Sequence, residues 1–239
     1  MKVLSIGDIH GHNIWKDFVK DPSMYDKIIF VGDYVDDYDI SNTEIISNLL
    51  EIIEFKKEYP DKVILLLGNH DYQYAIRPFE MEILCYSTGY RAEIHFDLHT
   101  IFKSNFRLFQ IAYQYENYIW THAGIHIGWY QKFLREFKVY VDKYDLSVEN
   151  YNIADKLNLA LEFEMTCLVD CGFKRRGTKK IGGPLWADKS ETWMKSLKNY
   201  HQIVGHTHTD GIKKTEHPLY KSSVTYIDAL PKECLILEI

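Results

Sequence analysis

The chain has 239 residues, of which 46% are hydrophobic and 26% charged, a balance that excludes disordered, collagen-like and coiled-coil chains. That length fills one sizeable core or at most two small ones. The formal net charge is −6, with 28 Lys and Arg against 34 Asp and Glu, so the molecule as a whole is not a polycation built to coat nucleic acid.

Short apolar runs recur along the chain, and each stops at a polar motif that contains glycine. Residues 2–6 (KVLSI) run into Gly7-Asp8-Ile9-His10-Gly11. The chain turns polar too early there for the core of a secretory leader. Residues 27–31 (KIIFV) run into Gly32-Asp33-Tyr34-Val35-Asp36-Asp37. Residues 41–60 place Ile45, Leu49, Ile52, Ile53 and Phe55 at near-helical spacing, with Ser41 or Asn42 as cap and Pro60 as stop. Residues 62–67 (KVILLL) run into Gly68-Asn69-His70-Asp71. Residues 72–107 are rich in Tyr and Phe and predict the core of a small helical cap. Residues 118–120 (YIW) run into Thr121-His122-Ala123-Gly124. Residues 125–182 read as a second insertion with a helix over about 155–169. Residues 202–204 (QIV) run into Gly205-His206-Thr207-His208.

Val- and Ile-rich runs of this kind read as buried strands, and strand–helix alternation predicts a parallel sheet with right-handed crossovers. Segments 211–215, 223–228 and 233–238 predict short strands of an antiparallel second sheet. The whole, 1–239, reads as one domain with insertions at about 72–107 and 125–182. No apolar run approaches the length of a membrane span. The four cysteines, Cys85, Cys167, Cys171 and Cys234, form no C-x-x-C pair and fit a reduced compartment, which predicts a cytoplasmic protein.

Residues just beyond parallel strands gather along one sheet edge, where ligands bind. That edge would collect Asp8, Asp33, Asn69, His10, His122, His206 and His208. Asp, Asn and His make a mixed oxygen–nitrogen site suited to manganese, iron or zinc. One carboxylate can bridge two cations, and a bridged pair can clamp a phosphate for in-line attack. A lone Gly-Asp turn or a lone His-x-His is ordinary; five such strand ends in order are not.

The motifs GDIHG, GDYVDD, GNHD, THAG and GHTH, spanning residues 7–208, resemble the calcineurin-like metallophosphoesterase superfamily. Their spelling is most similar to the phosphoprotein phosphatase branch. Gly183-Pro184-Leu185-Trp186-Ala187-Asp188 resembles that branch's L-W-S-D block, and Tyr226-Ile227-Asp228-Ala229 its terminal I-D-T-G block. The resemblance implies an αββα sandwich: a parallel or mixed central sheet, a second sheet, flanking helices and a small helical insertion. It implies two divalent metal ions, manganese first, with iron, zinc, nickel or magnesium as alternatives. Asp8 and His10 would hold one ion and Asn69, His122 and His206 the other, with Asp33 bridging. His208 matches a ligand of the wider superfamily that the branch often lacks. His70 would be the general acid, oriented by Asp36.

Two departures bear on the substrate. Asp37 stands where the branch carries a phosphate-binding Arg, and no Arg lies between Asp188 and His206. A carboxylate facing the substrate would soften discrimination against diesters, which carry less charge than monoesters. Phosphate recognition then falls to other cations, with Arg175 and Arg176 first. They belong to Lys174-Arg175-Arg176-Gly177-Thr178-Lys179-Lys180, either a solvated loop or a mobile arm that steers polyanions. The expected activity is hydrolysis of phosphate monoesters by a serine/threonine-type phosphatase, on phosphorylated protein or small phosphoesters. The alternatives are a diadenosine polyphosphate or other nucleotide phosphodiester hydrolase and, with its ligands intact, less readily a non-catalytic metal-binding scaffold. Neither a membrane nor nucleic acid is an expected partner.

Overall fold

The computed structural model describes residues 1–76 and 87–239. Cys85, Phe79 and Tyr86, with the rest of 77–86, lie outside the described residues, so only the flanks of the first insertion are characterised.

Among the described residues, ten strands make two five-stranded sheets. The first holds β1 (Lys2–Ile6), β2 (Lys27–Phe30), β3 (Val63–Leu66), β4 (Phe109–Gln110) and β10 (Leu235–Glu238), in the order β10-β1-β2-β3-β4. Within it β1 to β4 run parallel and β10 pairs antiparallel with β1. The second holds β5 (Ala112–Tyr115), β6 (Tyr118–Thr121), β7 (His201–Val204), β8 (Lys213–Glu216) and β9 (Ser223–Tyr226), in the order β5-β6-β7-β9-β8. There β6, β7 and β9 run parallel, while β5 and β8 pair antiparallel at the two edges.

The period-2 alternation of β1 to β3 explains the layering. Val3, Ile29, Ile64 and Leu66 point to one face and pack against Trp120, Ile203 and Ile227 of the second sheet. Trp120 donates from Nε1 to Ser5 Oγ across that interface at 2.9 Å, which satisfies an indole N–H that burial would otherwise strand. Leu4, Ile6, Ile28, Phe30, Val63 and Leu65 point to the other face. They share a core with Ile45, Leu49, Ile52 and Ile53 of α2 (Asn42–Glu58) and with Trp15 of the short α1 (Trp15–Phe18). Ser41 caps α2 through a capping box with Glu44. Helices thus cover the outer faces of two stacked sheets, an αββα sandwich.

The sequence reading differs from this in three places. The five motif strands do not share one sheet: β1, β2 and β3 lie in the first, β6 and β7 in the second. The last forty residues do not form a sheet of their own. β9 extends the second sheet in parallel from β7, and β10 crosses back to β1, where Leu237 opposes Val3. An 18-residue helix, α5 (Ile127–Tyr144), occupies what reads only as an insertion. Its apolar face, Trp129, Phe133 and Phe137, recurs every four residues and is the signal that finds it. The expected helix over 155–169 is α6 (Ile153–Glu162), capped by Asn152 and followed by a 3₁₀ turn.

On either side of residues 77–86, α3 (Asn69–Ala75) and α4 (His95–Ser104) pack together. Tyr72, Tyr74 and Phe102 are buried core as expected, whereas Phe96 is exposed.

Candidate active site

The carboxyl ends of β1, β2 and β3 meet those of β6 and β7 at one end of the sandwich. The approach is close enough to dictate glycine. A Cβ on Gly205 would lie 2.0 Å from Asp8 Oδ1, and one on Gly68 would lie 2.1 Å from Asp33 Oδ1. Four non-glycine residues there, His10, Asp33, Asp36 and His206, have φ of 44°, 51°, 65° and 62°. Left-handed backbone costs on the order of 1–3 kcal/mol per such residue and persists where the surroundings over-determine it, which is characteristic of functional sites.

Asp33 sits at the centre. Its Oδ2 is 3.2 Å from His122 Nε2, and 3.9 Å from both His10 Nε2 and His70 Nε2. On one side His122 Nε2 also lies 2.9 Å from Asn69 Oδ1 and 3.1 Å from His206 Nδ1. His122 turns Nδ1 to the Val31 carbonyl at 2.9 Å, so Nδ1 carries the N–H and Nε2 presents a lone pair. Asn69 Oδ1 is fixed as the acceptor end because Nδ2 donates to Ser87 Oγ at 2.8 Å. Asp33 Oδ2, Asn69 Oδ1 and His122 Nε2 therefore converge with acceptor atoms toward one another, beside His206, whose buried Nε2 has no hydrogen-bond partner among the described residues. Only a proton or a cation placed among them makes that arrangement favourable. This donor set fits a divalent metal.

On the other side His10 turns Nδ1 to the carbonyls of Val35 and Asp36, at 3.0 and 2.8 Å, and leaves Nε2 toward Asp33. The close ligand groups among the described residues are thus His10–Asp33–His70 and Asp33–His122–His206. Asp8 stands outside both: it lines the same cleft, but its two oxygens accept the His206 backbone N–H at 3.1 and 2.9 Å. His208 is not drawn into either group. Its side chain is 74% exposed and lies 3.5 Å from Asp228 Oδ1.

Electrostatics follow from this crowding. Burial alone would raise Asp33, but the His122 and His70 imidazoles outweigh it and hold the carboxyl well below its usual range. Burial opposes the charged forms of His10 and His122, yet the Asp33 and Asp8 carboxylates push them up to about 9 and about 10. Asp8 is raised by burial and then by the charge of Asp228. His206 is pushed well down by burial, with His122 and Arg175 adding to it.

His70 Nδ1 is 3.1 Å from Asp36 Oδ2, which leaves Nε2 toward Asp33 and the cleft. Asp36 is itself held from behind. Gln73 Nε2 donates to Oδ2 and Tyr74 OH to Oδ1, both at 2.6 Å. Gln73 and Tyr74 follow the GNHD motif on the next turn of α3, so helical spacing is the signal that could have found them. Asp71 is a further supporting residue that its motif alone does not reveal: buried, it accepts N–H groups of Asp33, Tyr34 and Gly68.

The cleft over these groups has a volume of about 660 Å³. Beyond the ligand groups, Lys174, Arg175, Arg176, Trp186 and Asp228 line it. The segment 174–180 is no free arm. Lys179 N–H donates to the Cys171 carbonyl, Phe173 N–H to that of Lys179 and Gly177 N–H to that of Gly172, at 3.0, 2.8 and 3.0 Å, which closes the loop at its neck. Asp37 does not line the cleft. Its Oδ1 accepts the N–H groups of Asp39 and Ile40 at 2.6 and 3.1 Å, so it caps its own loop instead of facing substrate. The guanidinium of Arg91 holds the same loop through the carbonyls of Asp37 and Ile40.

A family model described as calcineurin-like phosphoesterase matches residues 1–210. Among solved structures, the chain is similar to a cold-active protein-tyrosine phosphatase of a Shewanella species, with a TM-score of 0.55 and 17% identity over 99% of this chain and 75% of that one. A protein serine/threonine phosphatase from Saccharomyces cerevisiae gives a TM-score of 0.46 and 16% identity over 95% of this chain and 67% of that one. A putative diadenosine tetraphosphatase gives 0.47 and 14% over 99% and 92%. No curated protein matches the sequence. No helix among the described residues is long and apolar enough to cross a membrane.

Proposed function

The chain belongs to the calcineurin-like phosphoesterase family and is a phosphoric ester hydrolase; from that premise we propose that it is a two-metal phosphomonoesterase of the cytoplasm. Its substrates are phosphoserine and phosphothreonine in proteins, or small phosphate esters. The observation that carries this reading is the convergence of lone pairs on Asp33 Oδ2 and His122 Nε2, with the His70–Asp36 pair beside them.

Asp33 would be shared between two divalent ions, with Asn69, His122 and His206 on one side and His10 on the other. Asp8 lies close by. When bound, such ions polarise the phosphoryl group and make a water nucleophilic. The rest is done by side chains. Asp36 accepts the Nδ1–H of His70 and orients the ring, so that an imidazolium there would present its Nε2–H to the leaving oxygen. Gln73 and Tyr74 keep Asp36 in place. The cations at the rim attract the dianion.

A second reading, hydrolysis of a diadenosine polyphosphate or another nucleotide ester, is favoured by Lys174, Arg175 and Arg176 on the same cleft, since several phosphates need several cations. Protein stripped of metal and reloaded in turn with manganese, iron, zinc, nickel and magnesium tests both. It is assayed on p-nitrophenyl phosphate, bis-p-nitrophenyl phosphate, a phosphopeptide and diadenosine tetraphosphate. Metal-dependent monoester hydrolysis is expected, fastest with manganese. A kcat/KM highest on diadenosine tetraphosphate selects the second reading, and no metal-dependent hydrolysis of any ester overturns both.

A further inference from the structure

We propose that Arg175 is the phosphate-binding arginine of this cleft, supplied from a different segment of the chain than the position Asp37 occupies, and that Asp188 positions it. The inference rests on the phosphoesterase reading above.

Three features set Arg175 apart from its cationic neighbours. Its Nη2 donates to Thr207 Oγ1 at 2.6 Å, and its Nε lies 2.9 Å from Asp188 Oδ2. Thr207 is the residue after His206, so the guanidinium is tied to the backbone that carries a candidate ligand. Its Nη1 has no partner among the described residues and belongs to a side chain that lines the cleft. Lys174 and Arg176 line the cleft too, but they are exposed, and no carboxylate holds either of them among the described residues.

Asp188 is fixed in its turn. Its Oδ1 accepts the Ser190 N–H at 2.9 Å and so caps the short helix α7 (Lys189–Thr192). That leaves Oδ2 aimed at Arg175. Backbone hydrogen bonds close the loop that carries Arg175 at residues 171–179. The result is an arginine anchored by a hydrogen bond from Nη2 and an ion pair at Nε, with Nη1 left over. Such a group loses little side-chain freedom on meeting a phosphate. A monoester has nearly two negative charges at neutral pH and a diester one, so this arginine favours monoesters.

The test uses the full chain, loaded with manganese, in wild-type form and as Arg175→Gln, Arg175→Lys and Asp188→Asn. Inorganic phosphate affinity is measured by calorimetry, and kcat and KM on p-nitrophenyl phosphate and bis-p-nitrophenyl phosphate. Arg175→Gln should weaken phosphate binding by roughly 10- to 100-fold, the loss of a charge-assisted hydrogen bond, with metal content unchanged. It should cost more on the monoester than on the diester. Arg175→Lys should recover part of the affinity, because a point charge replaces the fork. Asp188→Asn should raise KM for the monoester and leave kcat nearly unchanged. Phosphate affinity of Arg175→Gln within twofold of wild type overturns the proposal, as do equal losses on the two esters. Where the Gln variant does not fold, the Lys variant decides: an undiminished phosphate affinity overturns the proposal. Metal-loaded wild-type protein that does not bind phosphate overturns it too. Protein that binds phosphate but hydrolyses no ester removes the phosphoesterase reading and leaves Arg175 to be judged by phosphate affinity. Active protein whose Gln variant binds phosphate normally removes Arg175 alone.

Discussion

The backbone N–H of Asp33 donates to Asp71 Oδ2 at 2.7 Å, tying the loop after β2 to the first turn of α3. The same oxygen accepts from Gly68 N–H at 2.8 Å, and Oδ1 accepts from Tyr34 N–H at 2.8 Å. One buried carboxylate therefore serves three backbone donors at the point where Asp33 enters the left-handed region.

Replacing Asp71 with Ala strands those three donors in the interior. The expected cost is at least roughly 3 kcal/mol, at about 1–3 kcal/mol per unsatisfied buried group, read as a fall in the denaturant midpoint. Asp71→Asn keeps one acceptor oxygen but turns an NH₂ toward an N–H, so it should fall between Ala and wild type. A midpoint unchanged in Asp71→Ala would show that water or a neighbour takes over the three donors.

Asp33 Oδ2 faces both ligand groups, so loss of its charge should empty both together. Elemental analysis of manganese-loaded wild-type protein should approach two ions per chain, as expected for a bridged pair. Asp33→Asn should fall below one. Retention of one full ion by the variant would mean that the two groups bind independently.

Proton release accompanies metal binding. In the metal-free protein, His10 and His122 are pushed up to about 9 and about 10 by Asp33 and Asp8, against the opposing effect of burial. Both are therefore charged at pH 7, and a metal must displace those protons. Calorimetry in buffers of different ionisation enthalpy should report proton release near neutrality, fading as pH approaches 10. The sign for folding follows from the same shifts. Folded values above the unfolded value near 6.5 stabilise the metal-free chain fully below about pH 6.5. That contribution is lost as pH rises through 9 and 10. A metal-free Tm that climbs between pH 7 and 10 would contradict it.

His70→Asn should keep its metal and lower kcat by ~10²–10⁴, the range for loss of a general acid. The loss should shrink on an ester with a good leaving group, which needs little protonation. His70 Nε2 is as near Asp33 Oδ2 as His10 Nε2 is, at 3.9 Å, so metal content has to be measured alongside. Metal lost in proportion to activity would make His70 a ligand. Tyr74→Phe removes one of the hydrogen bonds holding Asp36 and should show a weaker form of the same leaving-group dependence.

The sequence exposes those parts of the site that are local in the chain. Each candidate ligand follows a buried strand directly, and a Val/Ile run ending in Gly-Asp or Gly-Asn-His is visible without a structure. The helix over 42–58 is legible through its Ser41 cap and its apolar stripe. Partition of the strands between two sheets is not local. It depends on Trp120 and Ile203 facing Val3 and Ile29, contacts that no periodicity encodes. The same holds for support of the side chains. Helical spacing after Gly68-Asn69-His70-Asp71 points to Gln73 and Tyr74 as neighbours of His70, but not to their meeting Asp36, and nothing in the spacing of Arg175, Asp188 and Thr207 reveals that they meet, because the closed loop at 171–179 brings them together.

Asp37 tests where sequence position stops being a guide to orientation. It occupies the place of a phosphate-binding arginine, and from the sequence alone its carboxylate would face the substrate. In the folded chain its Oδ1 accepts two N–H groups of its own loop, from Asp39 and Ile40, and its Oδ2 lies 3.5 Å from His12 Nε2. Burial would raise the carboxyl, but those two N–H groups, with His12, hold it below its usual range. A side chain held in this way through Oδ1 is anchored to its own loop and not to the cleft. Asp37→Arg should therefore leave the monoester-to-diester ratio of kcat/KM within about twofold, since no transition-state contact changes. It should cost stability instead, about 1–2 kcal/mol for two N–H groups that lose their acceptor at a half-buried turn. Asp37→Asn, which retains Oδ1, should cost less. A tenfold rise in the ratio for Asp37→Arg would mean that the loop reorients and that position 37 reaches the cleft, in which case Arg175 is not the sole clamp.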